Sequence, residues 1–295
     1  MFVAYKQQGE KVMRLRTATA IIALSSLAAF AQDNPWRLVW ADEFDQGSAP
    51  NSAAWNYEEG FVRNRELQYY TKERPENVRI ENGLLILEGR KERFPNARHQ
   101  AGASDWQRAP EFAEYTSGSI NTAGKVAWQY GRIEVRAKIP AGKGTWPAIW
   151  MMGDRKDNPK WRGWPFCGEI DIMEHVGKAP TNIHGTCHWG VDGTEHKHRS
   201  KGAYTLNHDP KSTYGEFHIY AIEWDKDKID FFYDDLKYFT FDIAQADMPD
   251  GSNPFRQKHY LLLNLALGGA WGGEMDDSVL PARYEIDYVR VYERK

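Results

Sequence analysis

Glu169, Asp171 and Glu174 fall in one short run, Cys167-Gly-Glu-Ile-Asp-Ile-Met-Glu-His-Val176. Residues two apart in a strand share a face. Glu169 and Asp171 therefore point one way, and Ile170 and Ile172 point into the core. Glu174 is five residues from Glu169, which in a regular strand is the wrong face. One extra residue, a β-bulge near Ile172-Met173, restores it. Three neighbouring carboxylates repel and raise one another's pKa, so stability does not favour them. The plain alternative is a solvated acidic strand edge. The chemistry that needs such a set is retaining glycoside hydrolysis. It uses one carboxylate as nucleophile and another as acid and then base, roughly 5–5.5 Å apart. A third carboxyl between them can hold their protonation states apart. On this reading Glu169 is the nucleophile, Glu174 the acid/base, and Asp171 the group that tunes them. A metal site using these acids and His175 is the competing chemistry, but the strand offers no second histidine.

The elements that must position these residues read as strands. Ile133 to Ile139 alternates apolar and charged residues with period two, the mark of a strand with one buried face. Leu84–Leu87, Phe217–Trp224, Ile229–Tyr233, Tyr260–Leu267 and Tyr284–Tyr292 read the same way. Turn signals separate them at Glu81-Asn82-Gly83, Pro140-Ala141-Gly142, Asp225-Lys226-Asp227 and Pro249-Asp250-Gly251. Many short strands at such spacing imply an all-β sandwich or barrel. Residues 92–114 and 154–163 lack a clear period and read as long loops.

The chain has 295 residues, 38 basic and 41 acidic, with a net charge of −3. No basic block suggests nucleic acid or an anionic surface as partner. Aromatics make up 14% of the chain. They serve either a β-rich core or a groove that stacks on sugars, and composition does not separate the two. At the N-terminus, Lys11, Arg14 and Arg16 precede an apolar stretch from Ala18 to Phe30, and Ala29-Phe30-Ala31 has the form of a signal-peptidase site. The expectation is a signal peptide over residues 1–31, one catalytic domain over 32–295, and a secreted protein, extracellular or periplasmic. A membrane anchor would need about 20 apolar residues. The two cysteines, Cys167 and Cys187, make no disulfide framework. Whether they pair depends on register, which sequence leaves open.

The segment Glu169-Ile-Asp-Ile-Met-Glu174 resembles the E-x-D-x-x-E signature of glycoside hydrolase family 16 in its bulged form. The resemblance extends to Leu38–Asp45, Asn64–Thr71, Tyr130–Lys138, Gly144–Trp150, His184–Trp189, Asn264–Gly269 and Tyr284–Tyr292, and these stretches are most similar to laminarinases. It implies a concanavalin-like β-jelly-roll of two antiparallel sheets with a concave substrate cleft. It also implies retaining, endo-acting hydrolysis of β-1,3-glucan without a catalytic cofactor, by a monomer whose partner is the polysaccharide. Xyloglucan-active relatives lack the bulge. Mixed-linkage β-1,3-1,4-glucan and galactan remain alternative substrates, and a non-catalytic carbohydrate-binding protein is the alternative from another class.

By resemblance Trp146 and Trp150 are candidates to stack on sugar, with core packing as the bland reading. Asn64 and Glu66 resemble sugar contacts in a polar loop. His188, on the strand after the acids, could contact Asp171 or a sugar hydroxyl, or be structural. Trp271, flanked by glycine pairs, reads as a ring on a loop at a cleft edge. The resemblance further implies a structural calcium near Glu43, Gly83 and Asp287, which would need six to eight hard oxygens.

Overall fold

The structure, a computed structural model, describes residues 35–295 except 157, 159–160, 192–194 and 205–212. The expected signal peptide lies outside the described residues. In chain order the strands are β1 (Trp36–Asp42), β2 (Asn56–Tyr57), β3 (Gln68–Tyr70), β4 (Val78–Glu81), β5 (Leu84–Pro95), β6 (Phe112–Ser117), β7 (Ser119–Asn121), β8 (Gly131–Lys138) and β9 (Thr145–Gly153). They continue as β10 (Glu169–Glu174), β11 (Asn182–Val191), β12 (Glu195–Tyr204), β13 (His218–Trp224), β14 (Lys228–Tyr233), β15 (Leu236–Asp242), β16 (His259–Leu267) and β17 (Ala282–Arg294). A single turn of helix, α1 (Gly269–Gly272), follows β16. One sheet runs β15-β14-β13-β8-β17-β5-β6-β3, with β1 on β17 and β4 on β5; the other runs β12-β11-β10-β9-β16-β7-β2. Pairing is antiparallel except between β3 and β6. This is the two-sheet β-sandwich that the alternating strands imply.

The period-two pattern decides which faces meet. On β8, Ile133, Val135 and Ala137 are fully buried while Arg132, Arg136 and Lys138 stand at the outer face. From the other sheet, Ile149 and Met151 of β9, Ile170 and Ile172 of β10, and Leu261, Leu263 and Leu265 of β16 join the same core. Trp55, Trp189, Trp224, Phe231, Phe241 and Phe255 fill it. Much of the aromatic content is thus core, and only part is left for a groove. The Asn82-Gly83 turn between β4 and β5 has both residues at positive φ, 56° and 75°, the two-residue hairpin geometry that favours this pair.

The stretch 92–114 is shorter as a loop than its sequence suggests. β5 continues to Pro95 and β6 begins at Phe112, with Phe94 opposite Ala113. Its charges hide the strand because they are held against neighbouring elements: Arg93 sits over the Phe112 ring at 3.6 Å and Glu92 pairs with Arg74 at 2.6 Å. Such cation–π and ionic contacts let both faces carry charge. The irregular part is residues 96–111. Cys167 and Cys187 are both buried and both free.

The bulge in β10 is present. On β9 the partners run Asp171 to Trp150 and then Met173 to Ile149, skipping Ile172. On β11 they run Asp171 to Thr186 and then Glu174 to His184. Ile170, Ile172 and Met173 are all fully buried, and the three acids are left on the opposite face. Truncating Ile172 to Ala should cost about 2–5 kcal/mol, read as a lowered urea midpoint with an unchanged m-value.

Candidate active site

The concave face of the β10 sheet is lined by Arg63, Asn64, Glu66, Trp146, Ala148, Trp150, Met152, Trp164, Glu169, Asp171, Glu174 and Asn264, around a cleft of about 310 Å³. The three acids thus meet in one place, together with four of the six residues read as sugar contacts. His188 joins from β11, directly opposite Glu169 in register. Its Nε2 lies 3.2 Å from Asp171 Oδ2 and 3.8 Å from Glu169 Oε1. Trp271 stands on α1 rather than on a loop. It packs edge-on against Trp146 at 5.4 Å and against His184 at 5.1 Å, so it braces the Trp146 end of the cleft wall.

Trp146 and Trp150 are four apart on β9 and share the concave face. The Trp146 indole N–H donates to Glu174 Oε1 at 3.1 Å. The Trp150 indole N–H donates to Asn264 Oδ1 at 2.7 Å, and Asn264 in turn donates to Tyr70 OH at 3.0 Å. Glu66 is buried and accepts from Asn64 at 3.2 Å, Gln68 at 2.7 Å and Tyr70 OH at 3.3 Å. These hydrogen bonds fix both indoles of the wall through acceptors on neighbouring strands, Glu174 on β10 and Asn264 on β16.

Asn264 interrupts the leucines of β16, and that break in an apolar strand was the available signal for a polar residue on the cleft face. Trp164 and Arg63 were not read from the sequence as site residues. Both sit in irregular segments, Trp164 just beyond the 154–163 loop and Arg63 just before Asn64, so neither carries a strand period.

Burial pushes the Glu169 carboxyl up to about 8, with the Asp171 charge adding to it. His188, a hydrogen bond from Trp164 and the charge of Arg63 oppose that rise. Burial likewise raises Asp171 to about 8, against a hydrogen bond shared with Glu169. A hydrogen bond between two carboxyls needs a proton on one of them. Glu174 is raised well above the usual range, first by burial and then by the charges of Asp171 and Glu169. The face therefore retains protons at neutral pH; His188 opposes the rise at both Glu169 and Glu174, joined by Trp164 and Arg63 at Glu169 and by Trp146 at Glu174.

Oxygens of Glu169 and Asp171 and a ring nitrogen of His188 lie within 4.8 Å of one another, so these three could hold a cation. His175 takes no part: it is buried, and its Nδ1 bonds to the Asn182 carbonyl at 2.9 Å. Glu43, Gly83 and Asp287 lie at the β1–β17–β5 corner, since Ile286 is opposite Leu85 and Asp42 opposite Val289. Both Glu43 oxygens accept from Arg290 at 2.8 Å, and Asp287 accepts from Arg136 at 2.5 Å. These pairings use side-chain oxygens, whereas the calcium that the resemblance implies would use the Asp287 carboxylate with neighbouring backbone carbonyls.

The sequence model of glycosyl hydrolases family 16 matches residues 66–290. The chain belongs to this family. It is 41% identical to the beta-glucanase of Rhodothermus marinus over 96% of each chain. The solved laminarinase of the same organism is 40% identical with a TM-score of 0.73, covering 88% of this chain and 98% of that one. A solved chain described among endo-acting O-glycanases of the human gut microbiota is 38% identical with a TM-score of 0.80, covering 89% and 92%. This family 16 protein is a glycoside hydrolase of the endo-β-1,3-glucanase type with the jelly-roll fold of the laminarinases. No helix among its described residues is long and apolar enough to cross a membrane.

The raised Glu169 carboxyl has a consequence for stability. The unfolded chain loses this proton near its ordinary value of 4.5, while the folded chain keeps it until about 8. The group's contribution is therefore present below pH 4.5 and is lost as pH rises to 8. Glu169→Gln should stabilise the protein at pH 7 by on the order of 1–3 kcal/mol and give little gain at pH 4, as thermal melts at the two pH values will report.

Proposed function

We propose that this hydrolase cleaves β-1,3-glucan by double displacement with retention, with Glu169 as nucleophile and Glu174 as acid/base. The observation that carries the reading is the unequal surroundings of the two glutamates on one bulged strand. Burial and the Asp171 charge raise both glutamates. Three groups oppose the rise at Glu169, namely His188, Trp164 and Arg63, against Trp146 and His188 at Glu174, which also feels the Glu169 charge. Glu169 is therefore read as the group that gives up its proton first. In the first step a Glu169 oxygen bonds to the anomeric carbon as the glycosidic C–O bond breaks. Glu174 gives its proton to the leaving oxygen. In the second step Glu174 takes a proton from water, the water oxygen bonds to the same carbon, and the bond to Glu169 breaks. Asp171, hydrogen-bonded to Glu169 and close to His188, takes up and returns charge between them.

Trp146 and Trp150 supply flat apolar walls for sugar faces, and Asn64, Glu66 and His188 supply polar partners for hydroxyls. A structural calcium at the corner of Glu43, Gly83 and Asp287, held by the Asp287 carboxylate and neighbouring carbonyls, would sit on the sheet that does not carry the acids, so calcium is assigned no part in the chemistry. Secretion follows from the signal-like N-terminus.

Laminarin should yield oligosaccharides whose new reducing ends are first β, by NMR taken within minutes. Glu169→Gln and Glu174→Gln should each lower kcat by about 10³-fold or more, and release with α-configured ends would refute retention. Products from mixed-linkage glucan at a higher kcat/KM than from laminarin would move the substrate to that polymer. Trp146→Ala should raise KM for laminarin about tenfold, the loss of one aromatic contact of about 1 kcal/mol. An unchanged KM would return that ring to a packing role.

A further inference from the structure

Arg63 is the one lysine or arginine among the described residues that line the cleft. Its guanidinium is clamped. Nη2 donates to both carboxylate oxygens of Glu58, and Glu58 is braced by Ser119 Oγ at 2.6 Å. The cation lies over the Trp150 ring at 4.9 Å and the Tyr70 ring at 5.9 Å. Nη1 is buried and has no acceptor in the protein, while the side chain as a whole keeps 21% exposure at the cleft. Buried donors almost always find partners, and one without an acceptor is destabilising. The planar fork of arginine can serve two acceptors at once, and here one edge is committed to Glu58.

The backbone beside it is also strained. Asn64 and Arg65 follow with φ of 54° and 51°, two consecutive non-glycine residues in the left-handed region. Strain of this kind gathers where a binding site needs a side chain held in place. The strain and the unpaired donor are separate observations, and neither helps the fold.

We propose that Arg63 is a positioning residue of the cleft: its guanidinium, anchored on Glu58, donates to a hydroxyl oxygen of the sugar seated beside Trp150. The inference rests on the glucan-hydrolase reading above and names a residue that reading left unassigned. The acceptor is a neutral hydroxyl rather than a sulfate or carboxylate. Glu58 already balances the guanidinium, and Glu66 and the three acids leave the rest of the cleft without a cation to receive an anion. The same charge opposes the upward push of burial on Glu169.

The test compares wild type, Arg63→Met and Arg63→Lys on laminarihexaose, with pH profiles of kcat/KM and a thermal melt of each. Arg63→Met should raise KM about tenfold, the usual scale for a lost charged hydrogen bond. It should also move the acidic limb of kcat/KM up by about half a pH unit, because Glu169 loses a neighbouring positive charge. Arg63→Lys should restore the limb and leave KM raised, since an ammonium returns the charge without the fork. An arginine that only supports the fold would lower the melting temperature and move neither KM nor the limb. That result in folded Arg63→Met overturns the proposal. If Arg63→Met does not fold, Arg63→Lys decides alone: a raised KM with an unmoved limb supports the proposal, and an unchanged KM overturns it. Wild type that releases no sugar from laminarihexaose overturns the hydrolase reading and this inference with it, whereas an active wild type with indifferent Arg63 variants overturns this inference only.

Discussion

Glu169, Asp171 and Glu174 are crowded onto one face of β10, and three carboxyls so close in a dehydrated cleft cannot all be ionised at once. Much of the surrounding structure serves that constraint. The bulge at Ile172 turns Glu174 to the side of the other two. Ile170, Ile172 and Met173, sunk into the core beneath, hold the strand so that the acids have no other face to turn to. The tryptophan walls keep water from relieving the repulsion. What remains is to distribute the protons, and that is the work of His188 at both glutamates, of Trp164 and Arg63 at Glu169, and of Trp146 at Glu174.

The scaffold suits this task because it is rigid where the chemistry sits. β9, β10, β11 and β16 are neighbours in one sheet, each sending alternate residues to the core and to the cleft. The polar cleft residues come mostly from these interior strands, and their second contacts are hydrogen bonds across strands, as from Trp150 to Asn264 to Tyr70. A site built on packed strands keeps its geometry better than one built on loops. The loop residues that enter are tied down by carboxyl partners: Glu58 for Arg63, Glu66 for Asn64 and Glu169 for Trp164.

The sandwich was legible in the sequence because one face of each strand is buried. Ile133 to Ile139 shows this plainly, with apolar and charged residues in strict turn. The β10 bulge was legible for a chemical reason, since only an inserted residue brings Glu174 beside Glu169. The hairpin of β5 and β6 was less so, because Glu92 and Arg93, held by Arg74 and by Phe112, put charge on both faces and erase the period. Trp271 reads as a loop ring from its glycines, yet α1 turns it against Trp146. Arg63 and Trp164 were beyond reach, since their roles depend on contacts with residues far along the chain, and local pattern holds no trace of such contacts.

The most direct test of the proposed mechanism is covalent trapping. A 2-deoxy-2-fluoro laminaribioside with a good leaving group forms the glycosyl-enzyme faster than water removes it, so the adduct can be digested and located by mass spectrometry. The account predicts one glycosyl unit on the peptide spanning Cys167–Val176, attached to Glu169. Attachment to Asp171 or Glu174, or turnover of the reagent to α-configured product with no adduct, would contradict it.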